Sequence, residues 1–427
     1  MGAGDPKDPR RRRLLRGGLG LGAALVAGRA TAEAAAGTGT PDPKITELQP
    51  WTSGPGVGVE ANPYGLPVRY EAGVVRRNVP WFSADTISAV NFTPLHALDG
   101  TLTPNGLCFE RNHAGVAEIP PEDYRLMIHG LVERPLVFTL ADLMRLPRES
   151  HSYFLECAAN TGMEWRGPQM NGVQFTHGMI HNVNYTGVRL RHVLKAAGVK
   201  PAARWLLAEG ADAAAMSRSI PLEKALDDCL IAFRMNGEAL RAEQGYPVRL
   251  VVPGWEGNVW IKWLRRLKLG DAPWAQREET SKYTDLLADG TAREMSFVME
   301  AKSVITAPAP ENPITHGKGP LVISGLAWSG RGRIASVDVT LDGGVNWHAA
   351  RLDGAAGPKA LNRFYLEVDW DGRPLLLQSR AVDETGYVQP TKDALRKLRG
   401  LNSAYHMNGI QTWAVDADGG VSNVELG

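Results

Sequence analysis

The chain has 427 residues, more than one ordinary domain holds, and is read as two or three domains. Hydrophobic residues make up 44% and charged residues 22%, a globular composition that excludes a disordered or fibrous chain. Lys and Arg number 47 against 46 Asp and Glu, so the formal charge is +1 and no single-sign field draws the chain onto nucleic acid or anionic lipid. Three cysteines are too few for a disulfide scaffold or a thiolate zinc cage, and the odd count leaves at least one thiol free.

At the N-terminus, Arg10 to Arg13 precede Leu14-Leu15 and a Gly, Ala, Leu and Val stretch from Gly17 to Gly28, then the small-residue cleavage pattern Ala34-Ala35-Ala36. The apolar run is shorter than the ~20 residues that span a bilayer. Arg11-Arg12-Arg13-Leu14-Leu15 fits a twin-arginine signal, a route that exports proteins folded around a cofactor. Residues 1–36 are therefore expected to be a signal peptide, and the mature protein periplasmic with no membrane anchor. Residues 37–100, rich in Gly, Pro and Thr, read as an irregular arm that packs through Trp51, Tyr64, Tyr70 and Trp81.

Residues 101–295 carry an α+β pattern. Leu126-Met127-Ile128 leads into Gly130, and Thr139 is placed to cap a short helix over Leu140 to Met144. The spacing predicts a helix from Thr186 to Ala197, stopped by Gly198. Val248 to Val252 reads as a buried strand ending at Pro253-Gly254, and Trp260 to Leu264 as another. Composition shifts near 295, and Pro308, Pro310 and Pro313 mark a linker. Residues 296–427 then alternate in short strands: Ile334 to Leu341 closes in the hairpin signal Asp342-Gly343-Gly344, and Phe364 to Trp370 precedes Asp371-Gly372. The expectation is an all-β immunoglobulin-like sandwich of about 130 residues.

Among side chains that carry chemistry, His177 and His181 stand at i, i+4, but Gly178 lies between them and no glutamate base does, so a surface or satisfied pair is the simpler reading than zinc. No Cys-x-x-Cys-His attaches a haem, and no nucleophile elbow supports a hydrolase. Cys229 and Cys108 sit in apolar segments and read as small buried hydrophobes. Cys157 follows Tyr153-Phe154-Leu155-Glu156 and opens the small-residue run Ala158-Ala159-Asn160-Thr161-Gly162. A thiol there is either structural or a soft ligand for a thiophilic transition metal.

Five blocks occur in one order: Phe109-Glu110-Arg111-Asn112-His113, Glu156-Cys157-Ala158-Ala159-Asn160, Gly245-Tyr246-Pro247-Val248-Arg249, Val252-Pro253-Gly254 and Ile261-Lys262-Trp263. They resemble the sulfite oxidase family of molybdenum enzymes. Leu326-Ala327-Trp328-Ser329-Gly330 and Asp342-Gly343-Gly344-Val345-Asn346-Trp347 resemble that family's immunoglobulin-like dimerisation domain. The resemblance implies an α+β molybdopterin domain followed by the sandwich, over about residues 100–415. It implies molybdenum held by Cys157 as the sole protein ligand, with the other equatorial sulfurs coming from molybdopterin. Phe109, Arg111, Asn112 and His113 would border pterin and substrate, with Trp260 and Ile261 beside Lys262 along the rim. Arg249 and Lys262 would hold the pterin phosphate and rim by charge-assisted hydrogen bonds, and Asp212 and Gln244 would make further pterin contacts. Tyr283 and Arg333 match catalytic positions beside Arg111.

Within the family, Glu278 to Tyr283 and Tyr405 to Ile410 resemble the sulfane-dehydrogenase branch. Thr161 and Gly162 stand where sulfite oxidases commonly carry basic residues, which predicts a less cationic entrance and a preference for carrier-bound sulfane sulfur over free sulfite. The chemistry implied is oxygen-atom transfer from water, with Arg111 stabilising negative charge on the product. The implied partners are a c-type cytochrome electron-acceptor subunit, a sulfur-carrier protein and a second copy of the chain in a homodimer. The alternatives are a free sulfite dehydrogenase, a methionine sulfoxide reductase on the same fold, and a non-catalytic module.

Overall fold

The computed structural model describes residues 64–79, 85–287, 289–354 and 356–426. The expected signal peptide and most of the expected arm, with Trp51 and Trp81, lie outside the described residues. Tyr70, expected to pack onto the body, is instead exposed, its hydroxyl taking a bond from neighbouring Arg69.

Two five-stranded sheets build the first half. In one, Arg148–Glu156 pairs antiparallel with Ile180–Arg189, which pairs with Leu230–Met235; Glu238–Ala239 and Arg249–Val251 both pair with that last strand. In the other, the order is Leu136–Thr139, Arg125–Gly130, Leu264–Gly270, Trp205–Gly210, Ser217–Pro221, with one parallel pair between Leu264–Gly270 and Arg125–Gly130. Thr139 caps the helix Leu140–Met144 as expected, in a reciprocal box with Asp142.

The helix expected from Thr186 begins only at Leu190 and runs to Ala197; Ile180–Arg189 is a strand. Tyr185, Thr186 and Val188 favour a pleated surface, and ladders on both sides outweigh the helical spacing. Gly187 permits this pairing, since a Cβ there would lie 2.2 Å from the Ile231 carbonyl oxygen. Trp260 to Leu264 is not a strand either. A 3-10 turn at Gly257–Val259 leads into an irregular loop with Trp263 at φ +50°, and the strand starts at Leu264. That loop turns backbone and side chains toward the site.

The second half is all β. Lys302–Ala307, Gly319–Trp328, Asn362–Trp370 and Arg351–Leu352 form one sheet; His348–Ala349, Ile334–Thr340, Leu375–Asp383, Thr412–Val415 and Val421–Val424 form the other. Val304, Ile323 and Phe364 of the first sheet share one core with Val337, Leu377 and Trp413 of the second. Asp342-Gly343-Gly344 closes the expected hairpin.

Strand Arg148–Glu156 joins the halves. Successive side chains of a strand point to opposite faces: Tyr153 and Leu155 enter the core of the first half, whereas Phe154 enters the core of the sandwich. The segment that follows therefore starts on the seam between two cores.

Candidate active site

Cys157 is the first residue past that strand. Its N–H donates to the Met179 carbonyl at 2.9 Å, and its own carbonyl accepts from Asn160 N at 2.9 Å. The Asn160 side chain takes the Met179 N–H at 3.1 Å and donates to Glu156 Oε1 at 2.9 Å. Across the loop, Gly257 comes so close that a Cβ would sit 2.8 Å from the Glu156 carbonyl oxygen. Cys108 and Cys229 are free, buried and far raised in pKa by desolvation, as expected of small hydrophobes.

Cys157 opens into a cleft, the kind of concave place in which small molecules and cofactors bind. Phe109, Arg111, Asn112, His113, Asp212, Gln244, Arg249, Trp260, Ile261, Lys262 and Tyr283 all line it. With Cys157, residues from six separated stretches of sequence thus meet in one place.

Arg249 is fully enclosed. It donates from Nη1 to the Gln244 carbonyl at 3.1 Å and from Nη2 to the Trp260 carbonyl at 3.1 Å, flanked by the rings of Tyr185 and Trp260. Its Nε has no partner, and among the described residues no carboxylate pairs with it. Burial lowers its pKa accordingly. Lys262 reaches the Arg111 carbonyl at 3.1 Å, the Glu243 carbonyl at 2.9 Å and the Asn112 side-chain oxygen. Burial first, then Arg249, pushes its pKa down to about 7. His113 is pushed down to about 4 by desolvation and then by Arg111, Lys262, Arg277 and Lys282, so its imidazole is neutral at neutral pH. Burial raises Asp212, against the pull of Lys262.

Tyr283 holds a left-handed φ of +55°. Its ring lies 4.9 Å from that of Tyr405 and 5.5 Å from the guanidinium carbon of the buried Arg218. Desolvation, with Cys157 and Tyr405 adding, drives its pKa well up, so the phenol keeps its proton as a hydrogen-bond donor.

Arg333 is not in the cleft. The turn before it packs on Glu384, whose carboxylate accepts the Arg333 N–H at 3.0 Å, and the exposed guanidinium bonds the Ala356 carbonyl instead. Thr161 and Gly162 do not line the entrance. Thr161 is 3% exposed, and a Cβ on Gly162 would sit 2.6 Å from the Ala404 carbonyl oxygen, so the pair lies under the C-terminal segment. Their lack of charge therefore does not make the entrance less cationic, contrary to the expectation from sequence. His181 is neither a surface residue nor on a helix with His177. It sits on a strand, lines the cleft, donates to or accepts from the Tyr185 hydroxyl at 3.1 Å and stacks near Phe109. Asn258 also lines the cleft, and both polar atoms of its buried side chain lack partners. Only its place beside Ile261-Lys262-Trp263 could have pointed to it.

Buried polar groups are nearly always satisfied. An arginine with a free Nε and no carboxylate, together with an unpartnered asparagine, is a cradle for an anionic, hydrogen-bonding ligand. Beside it stands a single soft thiol. Among the described residues no three His, Cys, Asp or Glu side chains converge, so a metal at Cys157 takes its remaining donors from such a ligand. The residues fit a metal carried by a phosphorylated dithiolene cofactor. Fold and site define a molybdopterin oxidoreductase.

Comparison with known proteins agrees. The oxidoreductase molybdopterin binding domain matches residues 113–278, and the Mo-co oxidoreductase dimerisation domain matches 293–413. Sulfite oxidase of Gallus gallus is 35% identical over 335 residues, covering 71% of this chain and 72% of the relative. The mitochondrial sulfite oxidase of Drosophila melanogaster is 34% identical over 336 residues, and the match spans 58% of that relative. The chain belongs to the sulfite oxidase family and is an enzyme that carries molybdenum on molybdopterin. Within it, the chain is similar to a chain of the sulfane dehydrogenase SoxCD from Paracoccus pantotrophus: 63% identical, TM-score 0.89, covering 91% of this chain and all of that one.

Proposed function

We propose that the enzyme oxidises sulfane sulfur bound to a carrier protein and passes the electrons to a c-type cytochrome subunit, in the periplasm after twin-arginine export. The observation that carries this reading is the 63% identity, over 91% of this chain and all of the other, to a chain of a sulfane dehydrogenase. The Arg11-Arg12-Arg13-Leu14-Leu15 run supports the compartment.

Bound molybdenum supplies two-electron chemistry coupled to oxygen-atom transfer. Cys157 holds the metal as a thiolate. Because burial raises its pKa in the empty chain, loading releases a proton. Arg249, Gln244 and Asn258 would hold the cofactor by charge-assisted and neutral hydrogen bonds, and Lys262, itself bonded to Asn112, would help to orient it. Arg111, in the same cleft, faces negative charge that builds on sulfur-bound oxygen. Protonated Tyr283 lines the same cleft and supplies a hydrogen-bond donor there.

One observation favours free sulfite as a second substrate reading. Arg111 and Lys262 line the cleft beside His113 and their positive charge acts on it, a setting that suits a small dianion. Steady-state rates with persulfidated carrier and with sulfite, using one electron acceptor, decide between them. A kcat/KM for sulfite higher by roughly tenfold, the worth of about one charge-assisted hydrogen bond, overturns the sulfane reading.

A further inference from the structure

The geometry points to a second task for the C-terminal sandwich beyond dimerisation: Lys302, Trp328 and the backbone of His406 are positioning residues for the loop that presents Cys157 to the metal. The inference rests on Cys157 as the metal ligand.

Glu156, one peptide bond from Cys157, is completely buried. Its Oε1 accepts from Lys302 Nζ at 2.9 Å and from Asn160 Nδ2 at 2.9 Å, and its Oε2 accepts from Trp328 Nε1 at 2.6 Å. Lys302 and Trp328 are register partners on adjacent sandwich strands, so one cross-strand pair delivers both donors. Lys302 also donates to the Asn160 carbonyl at 3.4 Å, and its ammonium lies 5.7 Å from the Trp328 ring. On the other side of the loop the His406 N–H donates to the Ala158 carbonyl at 2.8 Å. His406 is itself fixed by Glu256 and Ser296, each 3.0 Å from its Nε2. The residues on both sides of Cys157 are thus tied to the sandwich. A buried ion pair is a poor source of stability, since desolvation offsets its attraction and apolar residues do as well. What this pair does supply is a fixed direction for the carboxylate, and through one peptide for the Cys157 backbone. Ligand direction and the hydrogen bonds behind it tune a metal's potential.

The test uses full-length enzyme loaded in a host that makes the cofactor. Trp328→Phe removes one donor and keeps the ring; Glu156→Gln with Lys302→Met removes both charges at once. Arg380→Met breaks a sandwich ion pair to Asp338 that does not touch the loop. Metal content, the EPR signal of half-reduced molybdenum, its midpoint potential, and kcat and KM are read for each. The expected result for Trp328→Phe and for the double variant is a shifted EPR signal and potential. Alongside it, kcat falls roughly tenfold, in line with one lost charge-assisted hydrogen bond, while KM stays put and Arg380→Met matches wild type. A folded chain that has lost its molybdenum, with Arg380→Met still loaded, also supports the proposal. Loaded variants with wild-type spectrum and kcat overturn it, as does a Trp328→Phe chain that cannot fold. Cys157→Ala separates the premise: an unchanged EPR signal there removes the ligand assignment itself, whereas a changed one beside an unchanged Trp328→Phe removes only the positioning role.

Discussion

Replacing Arg249 by Met separates cofactor binding from folding. In the empty chain this guanidinium is 2% exposed, and its hydrogen bonds go to the Gln244 carbonyl, the Gln244 side chain and the Trp260 carbonyl. Losing these charge-assisted bonds costs about 1.5–3 kcal/mol each. Against that, the variant no longer buries a cation without a counter-charge, a penalty of several kcal/mol. The two effects oppose and are of similar size, so the empty chain's stability changes by less than about 2 kcal/mol, a Tm shift of only a few degrees for a unit this large. The cofactor has no such compensation. Each charge-assisted bond from Arg249 to its anionic end is worth about 1.5–3 kcal/mol, or roughly 10- to 150-fold in affinity. Molybdenum and pterin per chain, followed through repeated desalting, should drop in Arg249→Met while thermal unfolding of the emptied chain stays near wild type. Retention of the cofactor at the wild-type rate would refute the cradle, and so would a Tm loss beyond roughly 10 °C, which would make Arg249 a structural residue.

Cys157→Ala should leave a folded protein with turnover below a few percent of wild type at full molybdenum content, checked by steady-state kinetics and metal analysis. His113, at about 4 when folded against 6.5 unfolded, binds its proton more readily in the unfolded chain. The empty protein should therefore lose stability as pH falls from 6.5 toward 4, and His113→Asn should flatten that part of a Tm-against-pH curve. Replacing Arg11 and Arg12 together by Lys should leave loaded precursor in the cytoplasm, read by fractionation and blotting; normal periplasmic accumulation counts against the export route.

What was legible in the sequence is what local chemistry marks. An apolar run followed by small residues put Cys157 at a strand end, and the strand does end at Glu156. Alternation found the sandwich strands, and Thr139 found its helix. The errors share a cause, which is that partners distant in sequence decide. The spacing from Thr186 to Ala197 is helical, yet two neighbouring strands claim its first four residues. His177 and His181 look like a helical pair, but the chain passes from helix to strand between them. Arg333 sits in a Gly-Arg-Gly-Arg turn whose direction is set by Glu384, 51 residues on. Asn258 carries no motif at all; its unpartnered amide becomes visible only when everything around it is in place.

The misplacement of Thr161 and Gly162 has the widest consequence. Their place directly after the cysteine block predicts a less cationic entrance. The loop after Cys157 instead turns back, through a left-handed Thr161, onto the segment around Ala404 and away from the cleft. Their small size therefore serves the seam: a larger side chain at 162 would collide with the Ala404 carbonyl. The same seam receives Phe154 into the sandwich core and Glu156 onto Lys302 and Trp328. Substrate preference must then be argued from groups that do line the cleft, Arg111, His113 and Tyr283 among them, while the residues flanking Cys157 belong to the join between domains. A chain cut before Lys302 would keep Arg249, Lys262 and Tyr283 but lose the partners of Glu156 and the His406 bond to Ala158. The catalytic half is, on this geometry, incomplete without the sandwich of its own chain.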